Sequence, residues 1–575
     1  MNVKPILLAA LALGLGGTLP FCAPAQSQGG QLTHYVDFEK GDDSRDGLTP
    51  ATAWRRAPGD PAAQGGPARL KLSAGHRIVF AAGVRYRGSI VVNGSGAPGA
   101  PIIFESAPGK VPAIIDGSDA ATALRACRSA EDCGGASNWA QLTRAEFAAA
   151  VPAEAALFTT TQLLTAAQHP NMPDPFYSDE VEHFLKAPGE DLALGRAPLP
   201  DELIRRVSSP GERRIAVWTR GNQVRLRDIT GFAEGAALFN PEGLKFYTDR
   251  PDRVAVVGHP ALVDRPGEYA FIDDRRAAVI WLPEGAGAVS VASGRGGFDL
   301  RGASHVTIRG LGFENMMGVV GNVRTGVPVQ NFLNKGEGVA VENNRFSRLW
   351  MGNGQGAITL RGIRGLTITG NAIDTVGVGS GVRLSNVSDV KMSGNSVRRV
   401  GRTGMMLMNV VGAEVAQNTI TDVQGVHGNG LSVYLDNQNV RVVGNTIAGA
   451  TRPLTFHGGK GVENSLVFAC NLLVGTKGSA AALTSWSSDK PVRGVSIERN
   501  VLVGGKMGAQ LSGKDLAVTV RGNVSNGITT RGAAGSDWTM ADNRSIGGQA
   551  QAPPERLEAL RRETCGDAAG AALSR

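Results

Sequence analysis

The dominant pattern along the chain is a short alternation of apolar and polar residues that recurs many times and ends in asparagine. Two copies are Leu366-Thr-Ile-Thr-Gly-Asn371 and Val390-Lys-Met-Ser-Gly-Asn395. The asparagines follow one another at intervals of about 23 to 29 residues: Asn371, Asn395, Asn418, Asn445, Asn471 and Asn500. Alternation with a period of two residues is typical of a half-buried strand, and Val, Ile and Thr favour strands. A repeat of this length predicts stacked coils.

Short strands at this period cannot bury their apolar faces alone, but stacked coils can. Each strand then pairs in parallel with the equivalent strands above and below, about 4.8 Å apart. We expect the recurring asparagine at a bend, where it tolerates the left-handed backbone conformation and its amide hydrogen-bonds along a ladder of identical residues. An amphipathic helix repeat is excluded by the period of two and the frequent glycines.

The N-terminal part has a different pattern, with an Asp- and Gly-rich loop and a Thr/Ala/Trp element in residues 35–54. A Gly-bounded strand pair follows in residues 74–90, and a further pair ends at Ile114-Ile-Asp-Gly117. This arrangement resembles the opening of bacterial pectate-lyase-like right-handed β-helix proteins. The resemblance implies an all-β fold, a right-handed parallel β-helix (solenoid). It leaves the activity open, because that superfamily holds lyases, hydrolases, epimerases and phage tailspikes.

Beyond the first 25 residues, the pattern divides the chain into four parts. Residues 26–117 form the N-terminal cap and first coils, and residues 301–545 form the β-helix core. Residues 118–300 interrupt the repeat, and we expect an inserted mixed subdomain that walls a substrate cleft. It should contain a helix at 142–156, strands at 216–218 and 224–226, and a hairpin at 267–283. Residues 546–575 form a C-terminal cap whose short helix begins near Pro553 and covers the last coil.

The first 25 residues have the order of a secretory signal: Lys4, an apolar run at 6–19, and Ala23-Pro-Ala25. The apolar run is too short to span a membrane, so we expect export to the periplasm or the medium. Four cysteines then remain: Cys127, Cys133, Cys470 and Cys565. In an exported chain they permit two disulfides, one within 127–133 and one joining 470 to 565. A buried thiol at Cys470 is the alternative.

The formal charge of +8 and the pI near 9.3 favour an anionic partner. Nucleic acid is disfavoured, because there is neither a Lys/Arg run nor a stacking aromatic motif. No Cys/His cluster has zinc-binding spacing. Asp42, Asp43 and Asp46 resemble a calcium loop, although capping turns are Asp-rich for local reasons. We therefore expect a monomer that acts on an acidic polysaccharide and requires no cofactor, with calcium as an option.

The register of the coils predicts which side chains lie together. Four strands can be aligned by the residue that opens each: Gly381, Gly404, Gly430 and Pro453. The inward set is then Val382, Leu384, Met405, Leu407, Leu431, Val433, Leu454 and Phe456. The outward set is Arg383, Ser385, Met406, Met408, Ser432, Tyr434, Asp436, Thr455 and His457. This alignment places Tyr434 beside His457, about one coil away.

These residue types fit β-elimination from a uronic acid, which requires a charge-neutralising group, a base and an acid. Tyr434 is the candidate acid, or acid and base together. Either His457 or His427 is the candidate base. The candidate substrate-binding residues are Arg383, Arg402, Asn429, Asp436 and Lys460.

Three alternatives stay open at this stage. An inverting hydrolase needs two carboxyl groups roughly 6.5–9.5 Å apart, for which Asp374, Asp422 and Asp436 are available, although no tandem Asp pair is evident. A C5-epimerase uses much the same residues as a lyase. A non-catalytic carbohydrate-binding β-helix would need none of them, since a lone surface His or Tyr is usually ordinary surface.

Overall fold

The computed structural model describes residues 32–172, 183–219, 223–246, 252–292, 294, 296–321, 336–351, 355–423, 425, 428–459, 464–476, 478–487 and 490–566. The signal segment lies outside these residues. Most strands pair in parallel with the strand one coil earlier and the strand one coil later. One coil runs through Gly356–Arg361, Ile363–Thr369 and Ala372–Gly377 before the next begins at Ser380. The predicted parallel β-helix is therefore confirmed.

Three parallel sheets, which we call I, II and III, form the walls of the helix. Two long strands, Ser380–Ser393 and Thr403–Ala416, contribute their first halves to sheet I and their second halves to sheet II. The other strands of sheet I are Ile90–Val91, Gly296–Asp299, Gly318–Gly321, Gly356–Arg361, Asn429–Tyr434, Arg452–Phe456, Ala481–Ser485, Met507–Ser512 and Ile528–Arg531.

Sheets II and III complete each coil. The other strands of sheet II are Thr33–Val36, Arg77–Phe80, Ile102–Ser106, Val306–Arg309, Gly336–Glu342, Ile363–Thr369, Gln438–Val443, Leu466–Ala469, Arg493–Glu498, Leu516–Arg521 and Thr539–Ala541. Sheet III has 12 strands among the residues that the structure describes. They are Arg85–Tyr86, Ile114–Asp116, Gly312–Glu314, Arg345–Trp350, Ala372–Gly377, Ser396–Val400, Thr419–Val423, Thr446–Ala450, Leu472–Gly475, Val501–Val503, Val524–Ser525 and Arg544–Ser545.

One apolar core fills the interior of all coils. The eight side chains predicted to point inward on sheet I are each no more than 1% exposed. Aromatic rings stack between coils, as in Phe313 over Phe346, with centroids 4.8 Å apart. Because burial of apolar area contributes roughly 25 cal/mol per Å², this continuous core is the main source of stability.

The recurring asparagines form a buried ladder, as predicted. Asn418 Nδ2 donates to Asn445 Oδ1 at 3.0 Å, and Asn395 Nδ2 donates to Asn418 Oδ1 at 2.8 Å. The series extends from Asn344 to Asn543. The prediction that these asparagines adopt the left-handed conformation is wrong. The residue before each of them does so, for example Gly370 (φ 64°) and Gln417 (φ 55°), which frees the asparagine amide to point along the helix axis.

The chain leaves the helix after Ile114–Asp116 and rejoins it at Gly296–Asp299, and the intervening residues form the insert. Its short helices are Gly189–Ala193 and Asp201–Val207. Its strands are Ser118–Ala120, Ala123–Ala126, Thr143–Glu146, Leu157–Thr159, Thr165–Ala166, Gln168–His169, Leu185–Ala187, Arg196–Pro198, Arg214–Thr219, Gln223–Ala233, Ala236–Phe239, Asp252–Val257, Glu268–Ile272, Ala277–Ile280 and Val289–Ala292.

Two of the three predictions for the insert are confirmed. The hairpin is present, with Glu268–Ile272 antiparallel to Ala277–Ile280, and so is the strand pair Arg214–Thr219 with Gln223–Ala233. The prediction of a helix at 142–156 is wrong. Thr143–Glu146 is instead a strand that pairs with Ala277–Ile280, so the antiparallel sheet overrides the helical composition of this segment.

The C-terminal helix Pro554–Cys565 is present, but it lies against sheet III rather than over the last coil. Leu557 and Leu560 pack on Leu472, Val501 and Val503, which are outward apolar residues of sheet III. Both expected disulfides form, Cys127–Cys133 and Cys470–Cys565, and the second anchors this helix to the coil of Cys470. The N-terminal cap adds the short helix Gly65–Arg69. No helix within the described ranges is long and apolar enough to cross a membrane.

Candidate active site

Two outward rows of side chains run along sheet I, parallel to the helix axis. Strand pairing aligns the first row as Thr359, Arg383, Met406, Ser432, Thr455, Thr484, Gln510 and Thr529. The second row is Arg361, Ser385, Met408, Tyr434, His457, Trp486, Ser512 and Arg531. Neither row contains an acidic residue over these coils; Asp299 lies two coils before Thr359 in the first row and pairs with Arg301. The site is therefore built on arginines, hydroxyl groups and aromatic rings.

The structure brings Tyr434 and His457 together, on adjacent coils of the second row. Their ring centroids are 4.7 Å apart, and the planes meet at 71°, so the contact is edge to face. The backbone N–H of His457 donates to the Val433 carbonyl at 3.0 Å, which fixes the register of the two strands. Trp486 follows on the next coil, nearly parallel to His457, with centroids 6.4 Å apart. The side chains of Tyr434 and His457 are only partly buried, so a ligand can reach them.

Arg383 and Arg402 form the second part of the site. Burial, together with the neighbouring charges of Arg402 and Arg361, lowers the pKa of Arg383 to about 10, and the side chain of Tyr434 partly opposes this shift. Burial and Arg225 also lower the pKa of Arg402. Within the described residues, neither Arg383 nor Arg402 forms an ion pair with a carboxylate. Partly desolvated cations without such a partner are costly, and an anionic ligand would relieve that cost.

The insert contributes to this cluster through Arg225 of the strand Gln223–Ala233. A second contact between the insert and the helix is apolar, where Leu163 and Phe158 pack beside Trp350 of sheet III. The insert thus lies along the helix as far as the coil of Arg402. It adds positive charge to the same place that the sheet I arginines occupy.

Asn429 opens the strand that contains Tyr434 and pairs with Thr403 below and Arg452 above. Its side chain is buried, and its Oδ1 atom has no hydrogen-bond partner among the described residues. Such an amide is a candidate for polar contact with a ligand, because a buried unsatisfied group carries a free-energy cost that binding would remove.

The remaining predicted residues are placed differently. Asp436 lies beyond the end of its strand, in the left-handed conformation (φ 51°), and packs against the backbone of Gly459. The strand ends at Tyr434, so the alternation that predicted an outward position for Asp436 does not reach it. His427 and Lys460 lie outside the described residues.

Two of the acidic residues considered for hydrolysis lie away from the outward rows of sheet I. Asp374 and Asp422 are on sheet III, where Asp374 pairs with Arg398. Ser385, Ser432 and Thr455 point away from the core as predicted, yet all three are buried.

The calcium loop suggested at the cap uses its carboxylates locally. Asp42 accepts the backbone N–H of Ser44 at 2.9 Å, and Asp46 accepts that of Leu48 at 2.9 Å. Asp43 accepts the N–H of Arg56 at 2.8 Å. Among the residues whose placement is described, no three His, Cys, Asp or Glu side chains are grouped as a metal site would need. Calcium binding stays an untested prediction.

Four residues near the site were not predicted from the sequence: Arg361, Arg225, Arg452 and Trp486. Arg361 and Trp486 belong to the same outward row as Tyr434, one at each side, and extending the strand alignment by one coil at each end would have found them. Arg452 is the coil neighbour of Asn429. Arg225 belongs to the insert, and no repeat relates the insert to sheet I.

The comparisons with known proteins agree with this architecture. Residues 296–497 match the family model of the right handed beta helix region. The protein is a right-handed parallel β-helix protein. A search of curated protein sequences found no match. The β-helix also matches a solved structure described as a glycoside hydrolase at 13% identity, with a TM-score of 0.55, over 92% of this chain and 98% of that one. Identity at this level shows a shared fold and no more.

Two further solved structures are similar at lower scores. The lacto-N-biosidase of Eubacterium ramulus, in family GH136, matches this β-helix at 10% identity with a TM-score of 0.33, over 89% of this chain and 67% of that one. The A-module of the mannuronan C-5 epimerase AlgE6 of Azotobacter vinelandii matches at 15% identity with a TM-score of 0.18, over 44% and 74% of the two chains.

Proposed function

We propose that this β-helix protein is an exported enzyme that cleaves an acidic, uronate-containing polysaccharide by β-elimination. The observation that carries the proposal is the partly buried arginine cluster beside the Tyr434–His457 pair. Arg383 lies close enough to Tyr434, Arg402 and Arg361 for their charges to affect its pKa. Arg225 extends the cluster from the insert. A carboxylate bound there would meet several guanidinium groups in a partly desolvated place, where charge interactions are strong.

The chemistry follows from this geometry. Neutralisation of the uronate carboxylate by Arg383 and Arg402 makes the proton on C5 more acidic. His457 takes that proton, the electron pair forms the C4–C5 double bond, and the C4–O bond breaks. Tyr434 donates its phenolic proton to the leaving oxygen. Each such general acid or base typically contributes about 10²- to 10⁴-fold in rate.

Hydrolysis is the second candidate, because a glycoside hydrolase shares this fold. It needs a carboxylic acid at the glycosidic oxygen and usually a second carboxylate. From Thr359 and Arg361 onward the outward rows of sheet I contain no acidic residue, and Asp374 and Asp422 lie on another sheet. Asp299 lies two coils before Thr359 in the first row and pairs with Arg301. These placements favour elimination. A C5-epimerase would use the same base and arginines, but it would leave the chain length unchanged.

The test is incubation with a panel of uronate polymers, including alginate, polygalacturonate and hyaluronan. Elimination produces an unsaturated sugar end, which is measured by its ultraviolet absorbance. New reducing ends without that absorbance would establish hydrolysis and contradict the proposal. Deuterium uptake at C5 without shortening of the polymer would establish epimerisation. Binding with none of these changes would mean that the protein is a carbohydrate-binding β-helix.

A further inference from the structure

A second cationic site surrounds Trp486, on the other side of the Tyr434–His457 pair from Arg361. Trp486 is 38% exposed, which is unusual for an indole in this chain. The guanidinium carbon of Arg452 lies 5.2 Å from the ring centroid of Trp486, and that of Arg531 lies 4.9 Å from it. Two cations at one aromatic ring repel each other, so some stabilising contact must hold them there.

Arg531 is held in place by its neighbours rather than by an acid. Its Nε donates to Gln510 Oε1 at 2.7 Å, on the adjacent coil. Gln510 and Arg531 belong to the last two strands of sheet I, Met507–Ser512 and Ile528–Arg531. Within the described residues, no carboxylate forms an ion pair with Arg531. The indole and the amide therefore orient a guanidinium whose charge remains available at the surface.

The two cationic sites lie on one line. Arg361 is three coils before Tyr434 in the second outward row, and Arg531 is four coils after it. At about 4.8 Å for each coil, the line is roughly 34 Å long. An extended polymer lying along it would place acidic sugars against arginines on both sides of the proposed reaction centre.

We infer that Arg531, Trp486 and Arg452 form a distal subsite for a uronate residue of the same polymer, and that the enzyme therefore cuts inside chains. The inference of internal cleavage rests on the proposed function, whereas the inference that this subsite binds a uronate residue does not. An enzyme that removes terminal sugars needs a groove closed at one end of the reaction centre. Here anion-binding groups continue beyond the reaction centre in both directions.

The experiment measures binding in the Tyr434→Phe background, so that no substrate is consumed. The probes are end-labelled oligomers of polygalacturonate and alginate, as dimers and trimers and as chains long enough to reach Arg531. Arg531→Gln and Trp486→Ala should each weaken binding of the long chains by about 3- to 10-fold. Binding of the dimers and trimers should be unchanged. Arg521→Gln is the matched control, because Arg521 lies in the neighbouring coil on sheet II, exposed and paired with Asp542.

The inference would be overturned if the Tyr434→Phe protein bound long chains equally well with Arg531 and with the Arg531→Gln substitution. An equal loss for short and long oligomers would also overturn it, because that pattern reports a general change in charge rather than a subsite. A wild-type protein that binds long chains through Arg531 but cleaves none of them would refute only the proposed lyase activity. If cleavage occurs, the first products should be long fragments, and early release of single sugars would contradict internal cutting.

Discussion

The phenol ring of Tyr434 and the imidazole ring of His457 meet edge to face on adjacent coils, 4.7 Å apart between centroids. They are 23 residues apart in sequence and have no local reason to be close. Parallel pairing of Asn429–Tyr434 with Arg452–Phe456 is what joins them. In the proposed mechanism these two rings would supply the proton donor and the proton acceptor from neighbouring strands of one sheet.

Loss of either ring function should abolish turnover and leave the fold intact. Tyr434→Phe removes the proposed acid, and His457→Ala removes the proposed base, so we expect kcat to fall by about 10²- to 10⁴-fold in each. Cleavage of the responsive polymer is the measurement, with circular dichroism as the check on folding. Tyr35→Phe, in the cap strand Thr33–Val36, is the matched control and should keep full activity. Full activity in both site variants would refute the assignment.

Replacement of Arg383 should stabilise the protein while it damages function. Because burial lowers the pKa of Arg383 from its usual value to about 10, its positive charge is unfavourable in the folded state at neutral pH. Arg383→Met keeps the length of the side chain and removes the charge. We expect the free energy of unfolding to rise by roughly 1–3 kcal/mol at pH 7. Polymer binding should weaken at least 10-fold, since a buried charge contact contributes about 1.5–3 kcal/mol.

The stabilisation should depend on pH in a defined direction. The unfolded chain keeps the proton of Arg383 to higher pH than the folded chain does, so the unfavourable contribution disappears only as the pH rises past about 10. Arg398→Met is the control, because Arg398 is exposed on sheet III and pairs with Asp374. It should not raise stability. A decrease in stability for Arg383→Met would mean that the arginine has a structural role instead.

The asparagine ladder should be sensitive in its middle and tolerant at its end. Asn418→Ala removes two acceptor contacts to Asn395 and two donor contacts, to the Met392 carbonyl and to Asn445 Oδ1, all of them buried. We expect a loss of about 2–4 kcal/mol in the free energy of unfolding, measured by urea denaturation. Asn543→Ala, at the half-buried end of the ladder, should cost about 1 kcal/mol. Equal losses at both positions would contradict the proposed role of burial.

The insert should lose stability as the pH rises toward neutral. Glu268 is fully buried, and burial raises its pKa to about 7 despite the ion pair with Arg265 at 3.2 Å. A free carboxyl in the unfolded chain loses its proton near pH 4.5, so stability is greatest below that value and falls by roughly 3 kcal/mol through pH 7.

Glu268→Gln should flatten this dependence, measured as the unfolding temperature between pH 5 and pH 8. Glu234→Gln, an exposed residue of the insert that pairs with Arg196, should keep the wild-type slope. An unchanged slope in Glu268→Gln would show that another group titrates.

The sequence alone determined the coiled architecture of this protein and the register of its coils. The alternation of apolar and polar residues and the spacing of the asparagines require coils, because each strand can bury its apolar face only against its neighbours. The same spacing fixes the register, and so the sequence already paired Tyr434 with His457. The number and positions of the cysteines permitted the two disulfides but left a buried thiol at Cys470 open, and the structure forms both bonds.

The tertiary structure decided what depends on contacts between unrelated segments. Thr143–Glu146 is a strand because a partner strand from residues 277–280 lies beside it. The C-terminal helix lies on sheet III because outward apolar residues there accept Leu557 and Leu560. Arg225 reaches the site only through the docking of the insert, and burial there, which no pattern encodes, lowers the pKa of Arg402. Local pattern sets the coils, whereas long-range packing sets the electrostatics of the site.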